Sequence, residues 1–89
     1  MERDKIEHQP EAHRFVIRLP EGEARLEYSL QSRWVNITHT WVPNELRGRG
    51  VADALMLACQ EWCQREGLQL VATCSYAVRW LERKAKYLG

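Results

Sequence analysis

His39-Thr40-Trp41-Val42-Pro43-Asn44-Glu45-Leu46-Arg47-Gly48-Arg49-Gly50-Val51-Ala52 joins two segments of different hydrophobic period, and that change of period decides the fold. Upstream, the side chains from Arg33 to Val42 alternate as in a half-buried strand, with Val35, Ile37, His39 and Trp41 expected on the inner face. Pro43 has no N–H for a sheet ladder and closes that strand. Downstream, Val51, Ala52, Leu55, Met56, Ala58, Cys59, Trp62 and Cys63 gather on one arc of a helix from Val51 to Glu66, with Leu57 the misfit and Gly67 a left-handed stop. Leu68 to Thr73 reads as a short apolar strand covered on both faces, parallel to its neighbour because a crossover helix precedes it. Ser75 is placed to cap a last helix, Tyr76 to about Tyr87.

Moving outward, Phe15, Ile17 and Leu19 alternate with Arg14 and Arg18 in a strand from His13 to Leu19. A Leu19-Pro20-Glu21-Gly22 turn follows, with Pro and Gly where their backbone preferences fit, and Ala24, Leu26, Tyr28 and Leu30 mark a second strand. Residues 1–12 are polar and aperiodic and read as a flexible N-terminal arm, which leaves 13–89 as the domain. The expected fold is α/β (α+β): a three-stranded antiparallel meander, a crossover helix, a parallel fourth strand and a C-terminal helix.

Composition sets the outer limits. At 89 residues, 45% hydrophobic and 28% charged, the chain is one small globular domain. A net charge of +1, with acids and bases mixed along the chain, gives no footprint for nucleic acid or an anionic membrane. No apolar run approaches the roughly 18 residues of a bilayer span. The charged start MERDKIEHQP does not read as a signal peptide, and three cysteines cannot all pair, so a cytoplasmic setting is expected.

The chemistry concentrates in Arg47-Gly48-Arg49-Gly50-Val51-Ala52. A helix start offers unpaired N–H groups and the positive end of its dipole, glycines let an anion approach the backbone, and arginines add charged donors. Alone, such a segment reads as a solvated turn. Between a strand and an amphipathic helix it reads as a phosphate or pyrophosphate cradle. The segment matches the [Arg/Gln]-x-x-Gly-x-[Gly/Ala] signature of the GNAT superfamily of acyl-CoA N-acyltransferases. With the His39-Thr40-Trp41-Val42-Pro43 lead-in and Cys74-Ser75-Tyr76 after the next strand, the chain resembles the minimal single-domain GNAT-like subfamily from about His13 to Tyr87.

The resemblance implies acetyl-CoA as acyl-donor substrate, with Arg47, Gly48, Arg49, Gly50, Val51 and Ala52 holding its pyrophosphate. It also implies pantetheine running along Trp41 and Val42, which brings the thioester to Cys74 and Tyr76. The implied activity is transfer of an acetyl or similar small acyl group to an unidentified amine, with no metal. The competing expectation is a CoA-binding or regulatory module without turnover. On its residues alone Cys74 reads equally as a buried thiol or as one activated at a helix start, and the resemblance favours the second. Cys59 and Cys63 read as core residues, and His39 as a core histidine. Compared with full-length GNAT enzymes the chain lacks room for the helices after the first strand and for the C-terminal hairpin, elements that usually frame the acceptor. The expected assembly is a monomer or weak homodimer.

Overall fold

The computed structural model of the chain describes residues 5–88, with side chains as far as Lys84. Five strands, β1 (Ile6–Gln9), β2 (Arg14–Leu19), β3 (Gly22–Gln31), β4 (Trp34–Trp41) and β5 (Gln69–Ala72), form one sheet in chain order. The first four pair antiparallel, and β5 joins β4 in parallel after the crossover helix α1 (Val51–Glu66). Helix α2 (Ser75–Leu88) ends the chain. This is the expected mixed α+β architecture with one more strand.

The extra strand lies where an aperiodic arm is read from the sequence. Ile6–Gln9 pair with β2 in the register Ile6↔Ile17 and His8↔Phe15, and Pro10–Ala12 form a 3-10 turn. Residues 1–4 of that arm lie outside the described residues. The pairing is anchored by a side chain that counts as polar in any hydrophobic pattern. The His8 ring stacks on Phe15 at 4.1 Å, meets Trp62 edge-on at 4.5 Å, and its Nε2 is hydrogen-bonded to the Tyr28 hydroxyl at 2.7 Å. Burial, with Arg65 nearby, holds the His8 imidazole below its ordinary 6.5. The folded chain therefore binds fewer protons than the unfolded one below that pH. The contribution of His8 to stability is complete above 6.5 and is lost as the pH falls through the lowered value. Urea midpoints measured on either side of pH 6.5 are expected to drop more for the parent than for His8→Phe, which keeps the stack and cannot protonate.

One face of the sheet carries the core. Phe15, Ile17, Ala24, Leu26, Tyr28, Val35 and Ile37 from the strands meet Val51, Leu55, Met56, Cys59 and Cys63 of α1 and Ala77 and Trp80 of α2 in one cluster. Each large side chain fully buried here contributes about 1.5–3 kcal/mol. Both helices feed the same cluster, and among the described residues the opposite face carries the exposed Trp34 and Val71, with Val16 of β2 buried on it. This corrects the reading of β5 as covered on both faces. Its residues alternate between exposed and half-buried because it is the last strand and is packed from one side.

A bulge in β4 corrects a second expectation. Tyr28 faces Ile37 and Glu27 faces His39, so Thr38 is the extra residue, and its hydroxyl donates to the Glu27 carbonyl at 3.3 Å. One inserted residue reverses the face of everything after it. Val35 and Ile37 are fully buried as read, but Thr40, opposite buried Leu26, takes the inner side, while His39 and Trp41 are exposed. His39 is thus no core histidine. The ladder between β4 and β5 ends at Ile37↔Ala72, whereas that between β4 and β3 continues to Trp41, so the last residues of β4 are paired on one side only.

Candidate active site

The one-sided end of β4, the loop after it, the start of α1 and the start of α2 enclose a cleft of about 380 Å³. Thr40, Trp41 and Val42 form one wall, Leu46, Arg47, Gly48 and Gly50 the loop, Val51, Ala52 and Asp53 the first turn of α1, and Tyr76 the side towards α2. The loop is held from below. Leu46 ends a 3-10 turn and is fully buried, and Arg47 Nε donates to the Val42 carbonyl at 3.1 Å. Gly48 and Gly50 both have positive φ, 80° and 76°, a conformation that costs an L side chain about 1–2 kcal/mol. A Cβ at either would meet nothing within 4 Å, so the space in front of the backbone is open.

Gly50 occupies the N-cap position of α1 without a side-chain cap, and its carbonyl takes the first helical bond, from Ala54 N–H at 3.0 Å. The N–H groups of Val51, Ala52 and Asp53 therefore have no partner inside the helix. An open, glycine-lined helix start presents unpaired N–H groups and the positive end of the helix dipole to the cleft.

Of the residues singled out from sequence, the cleft brings together Trp41, Val42, Arg47, Gly48, Gly50, Val51, Ala52 and Tyr76. It does not include Arg49, whose guanidinium donates to Glu21 on the β2–β3 turn at 2.9 Å. Cys74 stands beside the lining: its Sγ is 3.6 Å from Thr40 Oγ1. The structure also moves the cap of α2. The Cys74 carbonyl accepts from Val78 N–H at 2.9 Å, so Cys74, not Ser75, occupies the N-cap place, and Ser75 is the first helical residue. Burial works to raise the Cys74 pKa. It is outweighed by hydrogen bonds to the sulfur from Ala77 N–H, the Thr40 hydroxyl, Tyr76 N–H and Thr40 N–H, which leave the thiol below its ordinary 9.0. Tyr76 moves the other way: burial first and the Asp53 carboxylate second raise its phenol, so it keeps its proton at neutral pH.

Cys59 and Cys63 behave as read, both buried in the core, with the Cys59 thiol pushed up by its hydrogen bond to Cys63 and by burial. Thr40 and Asp53 are site residues that the sequence reading missed. Thr40 reaches the site only through the bulge. Asp53 falls on the polar side of α1 and is brought in by Trp80, whose Nε1–H it accepts at 2.6 Å.

The relationships of the chain accord with this geometry. The family model for the GCN5-related N-acetyl-transferase matches residues 14–89. The chain belongs to the GCN5-related N-acetyltransferase family. The protein NATD1 of Homo sapiens is 32% identical over 81 residues, covering 88% of this chain and 72% of that protein. NATD1 of Xenopus tropicalis is 31% identical over 81 residues, covering 88% and 74%. The solution structure of a GCN5-like protein from Staphylococcus aureus superposes with a TM-score of 0.76 at 31% identity, over 99% of this chain and 87% of that one. In this GCN5-related N-acetyltransferase domain the arginine-glycine loop and Cys74-Ser75-Tyr76 both lie within the matched region.

Proposed function

We propose that the domain binds acetyl-CoA in the cleft and transfers the acetyl group to an amine. The observation that carries the proposal is the pair of positive-φ glycines opening onto an uncapped helix start. The residues present fit a pyrophosphate: the N–H groups of Val51, Ala52 and Asp53 supply donors, Arg47 supplies charge, and Gly48 and Gly50 leave room for close approach. Trp41 and Val42, at the one-sided end of β4, would hold the pantetheine arm and offer backbone N–H groups to a developing oxyanion. Bound acetyl-CoA supplies an electrophilic thioester carbonyl. Tyr76, held protonated in the cleft wall, is the proton donor for the departing sulfur. Cys74, with hydrogen bonds from Thr40, Tyr76 and Ala77 favouring its thiolate, is the residue that would take the acetyl group before it passes to the amine.

The first test is thermal. CoA and acetyl-CoA are expected to raise Tm, since a ligand at about a hundred times its Kd stabilises the native state by about 2.7 kcal/mol. In a domain of this size that is about 10 °C or more. Pantetheine, which lacks the pyrophosphate, is expected to do much less. Equal shifts from CoA and pantetheine, or no response to CoA, would contradict the cradle. Binding without acceptor-dependent release of free CoA would instead indicate a CoA-binding module.

A further inference from the structure

We propose that Asp53 is a positioning residue of the cleft: by accepting Trp80 Nε1–H it ties the start of α2 to the first turn of α1, and so sets Tyr76 and Cys74 relative to the cradle. The proposal rests on the reading of the cleft as an acyl-transfer site, and its geometry is independent of any ligand.

Asp53 directly follows the cradle residues Val51 and Ala52, and its Oδ1 stands 2.6 Å from the indole nitrogen of Trp80. A hydrogen bond with an ionised acceptor is about twice as strong as a neutral one. Trp80 is buried to 1% exposure, so the indole is a fixed point in the core. On α2 it lies one turn beyond Tyr76, on the same side of the helix, and two residues before Tyr76 stands Cys74, the N-cap. The tie therefore runs from the helix that holds the anion to the helix whose first amides hold the thiol. Asp53 and Tyr76 also line the same cleft, so the carboxylate acts on the phenol directly as well as through Trp80. The charged and titratable groups bearing on Tyr76 are Asp53 from α1, Arg83 further along α2, and Cys74. Those bearing on Cys74 are the hydroxyl and amide of Thr40 from β4 and the amides of Tyr76 and Ala77.

The substitutions Asp53→Asn, Asp53→Ala and Trp80→Phe separate the two actions. Two readouts are needed: the pH profile of alkylation at Cys74 by iodoacetamide, with the site assigned by mass spectrometry, and the ionisation of Tyr76, taken by difference from a Tyr76→Phe protein. Asp53→Ala and Trp80→Phe both cut the tie. They are expected to shift the Cys74 profile upwards by about half a pH unit, and so to slow alkylation at neutral pH about threefold. Asn can still accept the indole N–H, so Asp53→Asn is expected to leave the Cys74 profile unchanged while lowering the Tyr76 phenol, because the raising charge is gone. If Asp53→Ala and Trp80→Phe unfold, Asp53→Ser, whose shorter side chain falls short of the indole nitrogen, takes their place, and a parent-like Cys74 profile there overturns the proposal. Parent-like profiles for Cys74 and Tyr76 in folded Asp53→Ala and Trp80→Phe overturn it too. A parallel CoA titration of the parent keeps the issues apart: absence of binding defeats the acyl-transfer reading, while the Cys74 and Tyr76 profiles still decide the role of Asp53.

Discussion

Gly50→Glu is expected to abolish the thermal response to CoA while leaving a cooperatively folding domain. The residue sits at φ 76° and ψ 14° at the N-cap of α1, so any L side chain there costs about 1–2 kcal/mol. Its Cβ would meet no atom within 4 Å, so that cost is conformational and not steric. Glu adds a negative charge where the first-turn amides and the arginine-bearing loop would receive a pyrophosphate. The conformational cost lowers the stability of the fold, whereas the added charge and bulk oppose binding, and about 2 kcal/mol of lost binding energy already weakens affinity roughly 30-fold. Gly50→Ala separates the contributions: it pays the backbone cost alone and is expected to lower Tm while keeping a measurable response. Arg49→Ala is expected to weaken binding less than Gly50→Glu, because Arg49 is engaged by Glu21 and does not line the cleft. A parent-sized response to CoA in Gly50→Glu would place the pyrophosphate elsewhere.

How far the site could be read from sequence depended on which physics each part used. The shape of the loop before α1 was legible because its determinants are local. Glycines at positive φ, a proline that stops a strand and the onset of helical period all sit within a dozen residues, and the structure places them around one cleft. The meander was legible for the same reason, since alternation and a Pro-Glu-Gly turn define a hairpin without reference to the rest of the chain.

What sequence reading got wrong was non-local. The bulge at Thr38 has no composition signal, yet it exchanges Thr40 for His39 and Trp41 on the inner face and so brings the Thr40 hydroxyl to Cys74. Strand β1 depends on an imidazole stacked on Phe15 and against Trp62, a contact that hydrophobic periodicity cannot register. Asp53 looks like an ordinary exposed acid until the fold brings Trp80 to it across 27 positions of the sequence. Ser75 was the better cap by residue type, but the backbone gives the place to Cys74, and there the sulfur gathers the amides that lower its pKa.

That change of cap has the largest expected effect on chemistry. Alkylation at neutral pH is expected to label Cys74 first, with a pH profile centred below the ordinary 9.0, since the folded value is depressed and thiolate is present over the interval between the two. Cys59 and Cys63, at 0% and 2% exposure, are expected to react only on unfolding. Saturating CoA should slow labelling of Cys74, because pantetheine running along Trp41 and Val42 reaches Thr40, and the Thr40 hydroxyl is 3.6 Å from the sulfur. Incubation with acetyl-CoA should then add one acetyl group to the intact mass and none to Cys74→Ala. In that step the Cys74 thiolate forms a bond to the thioester carbonyl carbon, the bond from that carbon to the CoA sulfur breaks, and Tyr76 gives its proton to the departing sulfur. Attack by a neutral amine next forms the amide and returns the sulfur as thiolate; the proton lost by the amine restores Tyr76 through water. Tyr76→Phe should therefore slow acetylation of Cys74 without removing the site, whereas Cys74→Ala should remove most transfer to an amine. Full transfer by Cys74→Ala would assign the reaction to direct attack by the amine and reduce Cys74 to a lining residue. Faster labelling of Cys59 or Cys63 in the folded protein would contradict the burial on which the assignment of Cys74 depends.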